Sequence, residues 1–164
     1  MYTCKHFTLA ELVYPELYKQ HAGGPNLWKC FDVKLLVAID SIREFLYPKK
    51  GDGGVTINNW VVGGAAKSSG LRKPDNDIGA QLSQHKFGRA ADLKFNAGGW
   101  TPEKLRIHMK SIGCFEPGFL ERTDPEAAPF IHIRRIEWMK NMSWFHLDVY
   151  EADLKNTTIQ VFTG

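Results

Sequence analysis

No stretch of this 164-residue chain approaches the roughly 18 consecutive apolar residues that a membrane-spanning helix needs. The opening Met1-Tyr2-Thr3-Cys4-Lys5-His6 lacks the basic and then apolar regions of a secretory leader, so no secretory signal is expected. Cysteine is scarce. Cys4, Cys30 and Cys114 form no CxxC pair and leave an odd count, so reduced thiols are expected rather than a disulfide framework or thiolate metal ligands. Charge of one sign is thin as well. The net charge is +3, with acidic residues interleaved and no basic run of five or more, and nucleic-acid binding is not expected without a clustered basic stripe. The small excess can still favour an anionic polymer, an effect that salt screens. Glycines and serines gather at residues 63–70, but without the GxxxxGK[ST] spacing of a phosphate-binding loop. With no internal repeat, low-complexity tract or second boundary, residues 1–164 read as one domain, and 43% hydrophobic content can fill a single core.

The residues that are present first describe a scaffold. Thr8 with Glu11 reads as a capping box and Phe7 with Leu12 as a hydrophobic staple, opening a helix that cannot pass smoothly through Pro15. Asp32 caps a stronger helix, whose stripe Leu35, Ala38, Ile39, Ile42, Phe45 and Leu46 recurs at three and four. Pro48 and the cluster Gly51-Asp52-Gly53-Gly54 end it. Thr101 as N-cap and Pro102 at the first helical position open another helix, with Gly113 as its stop. His108 shares an apolar face there with Leu105, Met109 and Ile112, so a hydrogen-bonded packing role is expected of it. Strands are predicted from Val55, over residues 130–138 and over 158–162, and residues 115–130, with three prolines, read as an irregular connection.

Two stretches alternate with a period of two. In residues 90–95, Ala91, Leu93 and Phe95 take one face while Ala90, Asp92 and Lys94 take the other. In residues 144–149, Phe145, Leu147 and Val149 oppose Trp144, His146 and Asp148. Packing both apolar faces on one core leaves Asp92 and His146 on the opposite side, where His85 can join them across Gly88. Any one of these residues alone is an ordinary loop, cap or core residue. Together, two imidazoles and one carboxylate are a sufficient protein set for a catalytic zinc ion that keeps its fourth position for water. The expected fold is α+β, a small antiparallel sheet with helices packed on one face, and the expected activity is that of a zinc hydrolase.

The blocks Ser83-x-His85-x-x-Gly88-x-Ala90-x-Asp92 and Trp144-Phe145-His146-Leu147-Asp148 resemble the zinc-dependent D-Ala-D-Ala carboxypeptidases and the related phage L-alanyl-D-glutamate endolysins, whose fold is shared with the hedgehog signalling domain. Upstream, Ser69-Gly70-Leu71-Arg72-Lys73-Pro74 is similar to that family's Ser-Gly-Tyr-Arg-x-Pro segment, and Phe7-Thr8-Leu9-Ala10-Glu11-Leu12 looks like the start of small phage-encoded members. Three blocks in order are a more specific signal than one. The resemblance implies His85, Asp92 and His146 as ligands of one zinc ion, and Arg72 and Ser83 near the substrate. It further implies bacterial peptidoglycan as partner, acted on by a monomer that stays in the cytoplasm until lysis or travels in a virion.

Peptide hydrolysis by this chemistry also needs a carboxylate to take the water proton and deliver it to the leaving amine. The dipeptidase and endolysin branches place an acid three residues before the last histidine, and here that position is Ser143. Two candidates remain. Asp148 shares the strand face of His146 and serves either as base or as a second acceptor orienting a ligand histidine, and Glu137 ends the preceding predicted strand. Arg72 offers a planar fork that can pair with a substrate carboxylate. His132, in the predicted strand bordering the site, is a candidate oxyanion or substrate contact. The rival expectation is a binding or virion structural module of the same fold that keeps the metal and hydrolyses nothing, for which Ser143 is the motive.

Overall fold

The alternating stretches form the centre of one five-stranded sheet. The computed structural model describes residues 1–49, 54–96, 98–151 and 155–163, and the glycines at 51 and 53 expected to end the second helix lie outside them. Strands β1 (Val55–Thr56), β2 (Ala90–Phe95), β3 (Arg135–Glu137), β4 (Phe145–Asp148) and β5 (Gln160–Phe162) lie in the order β1-β2-β4-β3-β5. The class is α+β, as expected, but the sheet is not wholly antiparallel. β3 and β5 run parallel, because the chain leaves β4, passes β3 and returns along the outer edge in the direction opposite to β4.

Of helices α1 (Leu9–Leu12), α2 (Pro15–Gln20), α3 (Val33–Leu46) and α4 (Pro102–Ser111), all but α2 begin where the sequence signals them. The Glu11 carboxylate accepts from Thr8 N at 3.0 Å, Asp32 accepts from Lys34 N at 2.9 Å, and Thr101 Oγ1 accepts from Lys104 N at 3.1 Å. Each bond satisfies a helix-start N–H that would otherwise lack a partner. Pro15 does more than end a helix: it opens α2, where its missing N–H costs nothing. Leu35, Leu36, Ala38, Ile39 and Ile42 of α3 and Leu105 and Met109 of α4 pack in one buried cluster with Ala91, Leu93, Phe145, Leu147 and Ile136 of the strands. The helices therefore cover the apolar face of the sheet and leave the other face to the polar side chains.

Two expectations are corrected. Residues 130–134 are not strand. Phe130 N bonds to Ala127 O at 2.9 Å and Ile133 N to Phe130 O at 2.9 Å, so turns consume the groups a ladder would use, and β3 begins only at Arg135. His108 does pack, its ring stacked 5.0 Å from that of Phe45, but its buried Nε2 has no hydrogen-bond partner among the described residues. Among the described residues no helix is long and apolar enough to cross a membrane.

Candidate metal centre

The register of the sheet assembles the site. β2 and β4 pair antiparallel with Asp92 opposite His146 and Ala90 opposite Asp148, while β3 pairs with β4 through Arg135 opposite Asp148. Continuing that register sets Glu137 beside His146. The polar face thus carries two rows: Asp92, His146, Glu137 and Phe162 in one, Ala90, Asp148, Arg135 and Gln160 in the other. Neighbouring strands are about 4.8 Å apart, so each row is a line of adjacent side chains. His85 enters from the short 3₁₀ turn Gln84–Phe87, which Ser83 precedes.

Gly88 and Gly70 explain the glycines of two motifs. Gly88 closes the His85 turn at φ 64°, and a Cβ there would stand 1.9 Å from the Cys30 carbonyl oxygen. A Cβ on Gly70 would stand 2.2 Å from the Leu12 carbonyl oxygen. Gly88→Ala meets both a left-handed backbone and a main-chain clash. It is expected to cost about 3 kcal/mol, read as a fall of about 6–12 °C in the thermal midpoint. An unchanged midpoint would show that the turn relaxes freely.

His85 Nε2, Asp92 Oδ1 and His146 Nδ1 converge. The separations are 3.3 Å between the two nitrogens, 3.3 Å from His85 to Asp92 and 2.8 Å from His146 to Asp92. A tetrahedral ion with ligand bonds of about 2.0–2.1 Å needs donor atoms about 3.3 Å apart. Two edges of the triangle already have that length, and the third is a short hydrogen bond. These three residues form a group that can hold a metal ion. His85 and Asp92 each have a second hydrogen-bond partner that fixes their orientation, as ligands of a metal generally do, and His146 has a second carboxylate within charge contact. His85 Nδ1 donates to the Gly70 carbonyl at 2.8 Å, which leaves Nε2 its lone pair for the centre. Asp92 Oδ2 accepts from Arg72 Nη2 at 3.0 Å. Asp148 Oδ2 stands 3.9 Å from His146 Nε2.

Electrostatics follow from burial and partners. Burial lowers the pKa of His85, which is 1% exposed, so its imidazole is neutral at pH 7. Burial opposes the charge on Asp92, but the hydrogen bond from His146, with the His85 ring beside it, outweighs that and holds the carboxyl below its ordinary range. Burial likewise opposes charge on His146, yet the carboxylates of Asp148 and Asp92 on its two sides raise it to about 9.

The centre opens on a cleft of about 590 Å³. Of the residues expected at the site, Arg72, Ser83, His85, Asp92, Glu137, His146 and Asp148 all line it. His132 is not among the lining residues, and it lies in the turn before β3 with Arg134 and Lys34 lowering its pKa after burial. Arg72 sits differently from the open clamp expected. Its Nε donates to Ser68 O at 2.6 Å, its Nη1 to Ile78 O at 3.3 Å and its Nη2 to Asp92, so all three nitrogens are engaged. Leu71, at the usual aromatic position, is buried in the core. Asp148 is 1% exposed and held bidentately by Arg135, with Nε 3.1 and 3.0 Å from its two oxygens and Nη2 2.9 Å from Oδ2. It also accepts from Tyr150 N at 3.1 Å. Glu137, by contrast, has no side-chain hydrogen bond or ion pair to a described residue. Its main chain is anchored instead: the fully buried Arg106 donates from Nε to Glu137 O at 3.1 Å and from Nη2 to Trp144 O at 2.7 Å.

Sequence reasoning missed Arg135, Tyr150 and Phe162 as cleft residues, while Trp144, placed on the face of His146, does line the cleft. The period that put Glu137 on the site face carries Arg135 with it, two positions earlier, so that signal was available. Compared with known proteins, the chain matches no family model, no curated protein and no solved structure.

Proposed function

We propose that this protein is a zinc-dependent peptidase of peptidoglycan stem peptides, cutting a D-Ala-D-Ala or an L-Ala-D-Glu bond, as a phage endolysin or lysis-associated enzyme. One observation carries the reading: three donor atoms converge, with two of their three separations at the spacing of a tetrahedral ion's ligands, beside a carboxylate that no described residue pairs, in an open cleft. Held by three protein ligands, zinc supplies Lewis acidity and lowers the pKa of water in its fourth position to about 7. His85, Asp92 and His146 would hold it. Glu137 takes the proton of the attacking water and returns it to the leaving amine. Arg72 and Asp148 hold Asp92 and His146 in place, and Ser83 borders the substrate. The choice of peptidoglycan rests on the three sequence blocks and on the mild positive charge.

Incubation with purified peptidoglycan tests this directly. The protein is expected to carry about one zinc per chain, as a mononuclear site does, and to release new amino termini or D-alanine. A chelator stops the release and added zinc restores it. Zinc-loaded protein that releases neither product is the binding module of the rival reading, for which Ser143 speaks.

A further inference from the structure

The cleft holds two guanidinium groups, and Arg135 is the more open to a ligand. Arg72 is 10% exposed in its side chain, with every nitrogen bonded to the protein. Arg135 is 30% exposed and uses one edge of its fork, Nε and Nη2, on Asp148. Its Nη1 has no hydrogen bond to a described residue. The group is also held flat: its central carbon lies 5.5 Å from the Tyr150 ring centroid and 5.7 Å from that of Phe162. A guanidinium braced on three sides is a preorganised donor, since little freedom is lost when it takes an anion.

Resting on the peptidase reading, we infer that Arg135 is the anchor for a free carboxylate on the substrate residue that follows the scissile bond. Position gives the register. Arg135 stands in the row of Asp148, two residues along β4 from the row of His146 and Glu137, a step of about 6.5 Å. A scissile carbonyl placed at the three-ligand cluster, followed by one residue of about 3.5 Å and a hydrogen bond of about 3 Å, spans that step. Charge sets the direction. The Glu137 carboxylate, which no described residue pairs, repels a second carboxylate, whereas the Arg135–Asp148 pair is compensated and still offers the Nη1 donor, so the amine-side residue lies toward Arg135. Two sources present this chemistry in a stem peptide: a chain-terminal D-alanine, and the α-carboxylate left free on a γ-linked D-glutamate.

Two substrate pairs separate the sources: N-acetyl-D-alanyl-D-alanine and L-alanyl-γ-D-glutamyl-L-lysine, each with that carboxylate free or converted to the amide. Wild-type protein is expected to favour the free acid of one pair by about 10–100-fold, mainly in KM, as loss of a charge-assisted bond predicts. The pair showing the preference identifies the source. Arg135→Lys keeps a reduced preference, whereas Arg135→Gln brings acid and amide within about twofold. Because Arg135→Gln also strips Asp148 of its partner, a second measurement stands apart from turnover. In zinc-loaded Glu137→Gln protein, the Arg135 Nε–H resonance shifts with the free acid and not with the amide. Equal handling of acid and amide with an unmoved resonance overturns the anchor and leaves the peptidase reading intact. A shifting resonance in a protein that cleaves neither pair sustains the anchor and overturns the peptidase.

Discussion

On the proposed peptidase reading, Glu137→Gln is expected to lower peptide hydrolysis by about 10²–10⁴-fold, the range general-base removal typically spans, while the protein keeps its zinc. The carboxylate stands beside His146 through the β3–β4 register, lines the cleft and is not committed to any described partner. Glutamine preserves its shape and removes its basicity. Asp148 is unsuited to the same work. Arg135 takes both of its oxygens, Tyr150 N takes a third bond, and burial denies it contact with water. Asp148→Asn should act instead through His146, weakening zinc retention more than the rate per bound zinc, as loss of a ligand's outer partner does. Ser143 is exposed and absent from the cleft lining, so the resemblance's usual base position is not merely changed here but lies off the site. Rates at saturating substrate, read against zinc content by mass spectrometry, decide the matter. A Glu137→Gln protein that turns over at the wild-type rate, with Asp148→Asn inactive at full zinc, would exchange the two roles.

The group that can hold a metal ion was legible in the sequence because its signal is local. A period of two around Asp92 and around His146 tells which side chains share a face, and burial of Leu93 and Leu147 on the reverse side tells which face is polar. Caps at Thr8, Asp32 and Thr101 are local in the same way, each settled within three residues. Strand order is not local. Nothing near Glu137 says that β3 lies on the side of β4 away from β2, and only that placement separates Glu137 from Asp148 as the proposed base. The parallel β3–β5 pair was hidden for the same reason. His132 was misplaced by the opposite error, since alternation across residues 130–134 mimics a strand while turn hydrogen bonds own that backbone. Arg72 was read as free because a sequence displays a side chain's chemistry and not what already occupies it.

Zinc affinity should climb about tenfold per pH unit below about pH 7 and more steeply from there to about pH 9, because binding displaces one proton from His146 and, above about pH 7, a second from the water that zinc would bind. The other two ligands contribute none. His85 is held neutral by burial, and Asp92 stays ionised far below neutrality. A histidine raised in the folded state stabilises the metal-free protein fully below its unfolded value of about 6.5, and that contribution fades as pH rises through about 9. The metal-free form therefore loses stability over the same window in which zinc binds more tightly, so the thermal shift produced by zinc grows with pH. Calorimetric titration in two buffers of different ionisation enthalpy counts the protons, and competition with a chromophoric chelator at pH 6.5, 7.5 and 8.5 gives the slope. A slope near zero below pH 7 would mean that His146 is already neutral in the metal-free protein, and that Asp148 and Asp92 do not hold a charged imidazole between them. A slope near two already below pH 7, before the bound water ionises, would return His85 to the protonated state that its burial argues against.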